Sequence, residues 1–194
     1  MLSNQISAFE YVSILVSIIL GLGITQILSS FSDLLYHYKE IKFYWPHTLW
    51  ILFILFLNIQ DWFITYQLKD KLAWSLPELF FILLYPITLF IAAKMLLPSN
   101  ESDKGTDMKV YYRSHYPVIF FIIGVSVFIS ILLNVFLLQK SWLQQVLLLA
   151  FFSLIMYISV RKVENELLHK WMAVLVGAAS VLSVILEKNV WVIK

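Results

Sequence analysis

His47–Gln67, HTLWILFILFLNIQDWFITYQ, decides the fold. As an α-helix rising ~1.5 Å per residue this stretch is about 30 Å long, the thickness of the hydrocarbon core of a bilayer. One carboxylate, Asp61, interrupts it. An ionised Asp at the centre of a membrane helix costs ~3 kcal/mol, less off-centre, whereas each Leu, Ile or Phe returns ~0.3–0.6 kcal/mol. The stretch holds enough of these to insert with or without a partner for Asp61.

Five similar runs flank it, at Glu10–Tyr36, Leu79–Leu97, Val118–Leu138, Leu143–Val160 and Leu167–Leu186. Together the six consume most of the 194 residues, in a chain that is 61% hydrophobic and only 13% charged. A soluble domain of this length needs more charge to cover its surface. The expectation is an all-α membrane protein: one domain over residues 1–194, a bundle of six transmembrane helices divided three and three by a loop at 98–117. The first run is too long for a signal h-region, and no Lys or Arg precedes it before Lys39, so it reads as a retained span.

Loop charge predicts the orientation. With the N-terminus outside, Lys39, Lys42, Lys94, Lys104, Lys109, Arg113, Arg161, Lys162 and Lys170 lie inside, against Lys69, Lys71, Lys140, Lys188 and Lys194 outside. Nine against five favours both termini outside. Ser7-x-x-Glu10, Ser75-x-x-Glu78 and Ser141-x-x-Gln144 read as capping boxes opening the first, third and fifth spans. Pro46 and Pro117 fit the first turns of the second and fourth, where a missing N–H is harmless. Trp45, Trp50, Trp74, Trp142 and Trp171 fall near span ends, as an interfacial aromatic belt does.

Ionisable and polar groups within spans are the functional candidates. Glu10 and Glu78 are accounted for by their capping boxes, and Lys94 by snorkelling to the nearby interface. Asp61 is not accounted for in this way. Asn58 and Thr65 stand at i−3 and i+4 on its helix face, a polar stripe that must point into the bundle or into water. It reads either as an interhelical hydrogen-bond clamp or as a cation or proton site. In the first span Ser13, Ser17 and Gly21 recur at i+4, a small-residue face suited to helix packing. A second stripe, Gln26, Ser30, Asp33 and His37, runs toward the inner end, with His37 placed to pair with Asp33. It reads as interfacial hydration or as a polar vestibule. Pro86 interrupts the third span after Tyr85. Asn134 in the fourth span falls at a depth like that of Asp61, which makes a contact between them possible.

All four histidines, His37, His47, His115 and His169, fall on the predicted inner side. A metal or pH-sensing cluster is one reading, but the spacings match no ligand motif, and inner loops are where polar residues belong. Cysteine is absent, which excludes disulfides and thiolate metal sites. No cofactor and no metal is expected. No H-E-x-x-H, Gly-rich phosphate loop or histidine-box array is present, and the chain reads as a non-enzyme. Its net charge of +2 is too small to imply nucleic acid.

The segments FEYVSILVSIILGLGITQIL (9–28), FYWPHTLW (43–50) and NIQDWF (58–63) resemble a family of small uncharacterised bacterial membrane proteins. The resemblance covers the first two spans. It implies a bacterial inner-membrane setting and carries no assigned activity, so no residue role transfers. Two functions are therefore expected. One is a channel- or transporter-like protein, as a homo-oligomer, with a polar path lined by the first two helices: Ser13, Ser17, Gln26, Asp33, Asn58, Asp61 and Thr65, with Asn134 nearby. The other is a membrane anchor, sensor or effector subunit, for example in an anti-phage defence system, that meets a cytoplasmic partner through the 98–117 loop. An intramembrane lipid enzyme ranks third, because only Asp61 with an outer-side Glu offers an acid–base pair.

Overall fold

A computed structural model describes residues 7–98, 107–186 and 191–192. They form α1 (Ala8–Tyr36), α2 (Trp45–Tyr66), α3 (Leu76–Leu96), α4 (Met108–Phe136), α5 (Val146–Arg161), which follows a 3-10 turn at Trp142–Gln145, and α6 (Glu166–Leu186). All six spans are long and apolar enough to cross a membrane, counting the 3-10 turn with α5. Among the described residues there is no strand, only an isolated bridge between Lys42 and Asp107 that fastens the turn after α1 to the start of α4. The chain is an all-α, multi-pass membrane protein.

The helices run alternately up and down. At one end α2, α4 and α6 begin where α1, α3 and α5 finish: His47 bonds the Leu96 carbonyl, and the Ser159 hydroxyl donates to the Pro117 carbonyl at 2.6 Å. This is the predicted inner end. At the other, Phe9 packs edge-on to Tyr66 and the Asn134 amide donates to Gln145 at 3.0 Å. α2 is the hub, packed by α1, α3, α4 and α6, while α5 lies outside against α4. The buried face of α2 runs His47, Trp50, Ile51, Ile54, Asn58, Asp61 and Thr65, one stripe down the helix. Trp50 is fully buried, its ring 4.7 Å from that of Phe120. Large apolar side chains such as Ile14, Ile18, Leu84 and Ile91 face outward, which lipid requires and water would not tolerate.

Local chemistry sets the helix starts. The three expected capping boxes are present: the Ser7, Ser75 and Ser141 N–H groups donate to Glu10, Glu78 and Gln144. Glu78 also accepts from Lys71 at 2.7 Å. Pro46 sits in the first turn of α2 as expected. Pro117 does not sit in the first turn of α4. That helix starts at Met108, capped by Asp107, so Pro117 lies inside it, and the expected 98–117 loop is shorter by a helical segment. The extension exists because Met108, Tyr111, Tyr112 and Tyr116 are buried against the bundle. Within that loop 99–106 lies outside the described residues, as do Lys188 and Lys194.

Candidate functional site

The stripe on α2 faces inward. Asn58, Asp61 and Thr65 are 1%, 7% and 5% exposed, so the expected common face is real and is buried. Asn58 uses its Nδ2 on its own helix, donating to the Ile54 carbonyl at 2.8 Å, which leaves Oδ1 without a partner. Opposite stands Gly23 of α1, where a Cβ would lie 2.6 Å from that oxygen. The Asp61 carboxylate receives no hydrogen bond and no ion pair from a described residue. It lies within electrostatic reach of Tyr85, which is buried on α3 directly before Pro86. Pro86 has no N–H, so the Ile82 carbonyl loses its helical donor. The Thr88 hydroxyl bonds the Tyr85 carbonyl at 2.7 Å. At the junction of α1, α2 and α3, Asn58 Oδ1 is thus a buried acceptor without a partner, and the Asp61 carboxylate and the Tyr85 hydroxyl stand near it without a hydrogen bond to a described residue.

The other sequence candidates do not join them. The packing face of α1 is Val12, Val16, Leu20, Gly23, Ile27, Ser30 and Leu34, so Ser13–Ser17–Gly21 is not the small-residue seam. Gly21 is open, with nothing within 4 Å of where a Cβ would stand. Ser13 bonds back to the Glu10 carbonyl, and Ser17 accepts from the Trp62 indole at 3.2 Å on the bundle surface. Gln26 donates to Ser30 one turn on. Asp33 is exposed, and His37 bonds its backbone carbonyl at 3.0 Å rather than its carboxylate, closing the helix end. Asn134 pairs with Gln145 instead of Asp61.

The histidines were the signal that spacing could not resolve. His47, His115 and His169 converge on the Tyr111–Tyr112 pair of α4. The Tyr111 ring stacks on His115 at 4.3 Å, and the Tyr112 ring lies 5.6 Å from that of His47. The Tyr112 hydroxyl bonds His169 Nδ1 at 2.8 Å while His169 Nε2 reaches the Val163 carbonyl. A carbonyl only accepts, so Nε2 carries the proton and Nδ1 accepts from Tyr112. Beside them, burial first and the Glu166 carboxylate second raise the Tyr44 phenol above its ordinary value, keeping it neutral. No group of three or more His, Cys, Asp or Glu placed to hold a metal ion occurs among the described residues.

Comparison with protein families, with curated proteins and with solved structures finds no match to this chain.

Proposed function

We propose that this is a channel- or transporter-like membrane protein in which Asp61, with Asn58, forms a cation or proton site between α1, α2 and α3. One observation carries the reading: Asn58 Oδ1 is buried in the apolar bundle without a partner, and the Asp61 side chain on the same helix face, 7% exposed, receives no hydrogen bond or ion pair from a described residue. A buried acceptor without a partner costs ~1–3 kcal/mol. A pair of them offers what a cation or an added proton needs, and intramembrane carboxylates commonly mark such paths. The proposed role is binding and passage, not catalysis.

Passage needs an opening, and in this reading a homo-oligomer supplies it. The inner half of α1 exposes Thr25, Ser29, Ser32 and Asp33 along one face, polar groups that lipid would leave unsatisfied and a second copy would cover. The membrane is taken as the bacterial inner membrane, in keeping with the resemblance of the first two spans.

Ion flux from purified protein in liposomes, over cations, anions and protons, tests the reading. Selective flux that Asp61→Asn abolishes or re-selects, in a variant still folded in the membrane, supports it. Flux identical in the variant removes Asp61 from the mechanism.

A further inference from the structure

Asp61 changes its hydrogen-bonding character with one proton, and its surroundings offer a partner to each form. Ionised, a carboxylate only accepts; protonated, it gains one O–H donor. Asn58 Oδ1 is an acceptor whose orientation is set, because Nδ2 of the same amide donates to the Ile54 carbonyl at 2.8 Å. It is closed to solvent and has no partner. An ionised Asp61 cannot satisfy it, since two acceptors do not bond each other. A protonated Asp61 can. The two residues are three apart on one helix face, with Cβ atoms ~5–6 Å apart, within reach of a turn about the Asp61 side-chain bonds.

The complementary partner stands on α3. The Tyr85 hydroxyl is a donor on a buried side chain, within electrostatic reach of Asp61 and without a hydrogen bond to a described residue. It can serve the ionised carboxylate. Among the described residues Tyr85 is the titratable group that a neighbouring helix presents to Asp61, since the packing face of α1 carries none. On α2 itself the other polar group of the stripe is Thr65. α4 and α6 bring Tyr112, Tyr116 and His169 to the levels of His47 and Trp50, about three turns or more along α2. A metal cation with any of its hydration shell has no room at Oδ1. The Gly23 backbone closes that space so tightly that a Cβ would stand 2.6 Å away. A proton adds no volume.

We propose that the ligand of this site is a proton, held as an Asp61 O–H donated to Asn58 Oδ1, and that its release hands the Asp61 carboxylate to the Tyr85 hydroxyl of α3. The inference rests on the reading of Asp61 as a cation or proton site and names the species. The O–H bond of Asp61 is the one covalent bond made or broken, and water takes the proton. One proton thereby moves the hydrogen bond of Asp61 from its own helix to the neighbouring one, directly before Pro86. Asn58 stabilises the protonated form and Tyr85 the ionised form, so the two residues set the proton affinity in opposite senses.

The experiment uses the full chain in liposomes. The infrared C=O band of a protonated carboxyl is followed against pH and assigned to Asp61 by its absence from Asp61→Asn. The expected result is one protonation step with the same midpoint in sodium chloride and in choline chloride. Tyr85→Phe, which removes the donor to the ionised form, is expected to raise the midpoint by about one pH unit, a ten-fold gain in proton affinity. Asn58→Leu, which removes the acceptor of the protonated form, is expected to lower it by about half a unit. Thr65→Val is expected to leave it in place. Where Asn58→Leu does not fold, the Tyr85→Phe shift decides alone. Shifts of the same sign, or no shift in folded Tyr85→Phe, overturn the proposal. So does a midpoint that sodium lowers, because a metal cation then competes for the site. Ion flux reports separately: a protein that titrates in this way without conducting keeps the proton site and loses the passage reading, and sodium flux through a site that sodium competes for does the reverse.

Discussion

Gly23 and Asn58 meet across the α1–α2 interface with no room for a methyl group, since a Cβ on Gly23 would stand 2.6 Å from Oδ1. Gly23→Ala must push Asn58 away or part the helices, and a loss of ~1–3 kcal/mol is expected. Gly21→Ala, two residues earlier on an open surface, is expected to change stability by less than ~0.5 kcal/mol. Thermal unfolding in micelles separates the two, and equal effects would contradict the assigned helix phase. The polar stripe on α2 was legible in the sequence because Asn58, Asp61 and Thr65 are rare polar residues with fixed helical spacing. The seam on α1 was not legible. Over its outer half that helix carries large apolar side chains on every side, so hydrophobic periodicity does not say which side turns inward. Ser13, Ser17 and Gly21 share a face, but it is not the one that packs.

Helix starts were readable because they rest on contacts three residues apart. Ser75→Ala removes the side-chain acceptor of the α3 cap and is expected to cost about 1 kcal/mol, seen as a lower unfolding midpoint. The start of α4 was not readable. Met108–Tyr116 is too polar to resemble a span, and its helix is supported by distant partners: the Met95 carbonyl, His169 and Glu166. Farther along the pair, Ser159 of α5 donates to the carbonyl of Pro117 in α4. Ser159→Ala is expected to lose about 1 kcal/mol, the scale of a hydrogen bond between membrane helices. No change in the unfolding midpoint would mean that van der Waals packing alone, including the close approach of Gly124 to Met156, holds α5 in place.

Across the whole molecule, charge bias and architecture make one joint statement about orientation. The end that gathers the starts of α2, α4 and α6 also carries Lys109, Arg113, Arg161, Lys162 and Lys170, so it is expected to face the cytoplasm. The chain contains no cysteine, so single cysteines report position cleanly. Leu72→Cys is expected to react with an impermeant maleimide applied to intact cells. Tyr38→Cys and Glu164→Cys are expected to react only after permeabilisation. The reverse pattern would invert the protein. These substitutions leave the Lys and Arg count untouched, so they do not themselves bias insertion.

Span number, the capping boxes and the shared face of Asn58, Asp61 and Thr65 were determined by the sequence itself, because each depends on hydropathy or on neighbours within a turn or two. Which helix became the hub was decided by tertiary packing, as was the partner of every long-range polar group. Asn134 joined Gln145 rather than Asp61, and His169 came to Tyr112 from 57 residues away. In a bilayer all six helices are outwardly alike, and lipid contact rewards an apolar face as well as protein contact does. Only side-chain shape and a few hydrogen bonds then distinguish one arrangement from another.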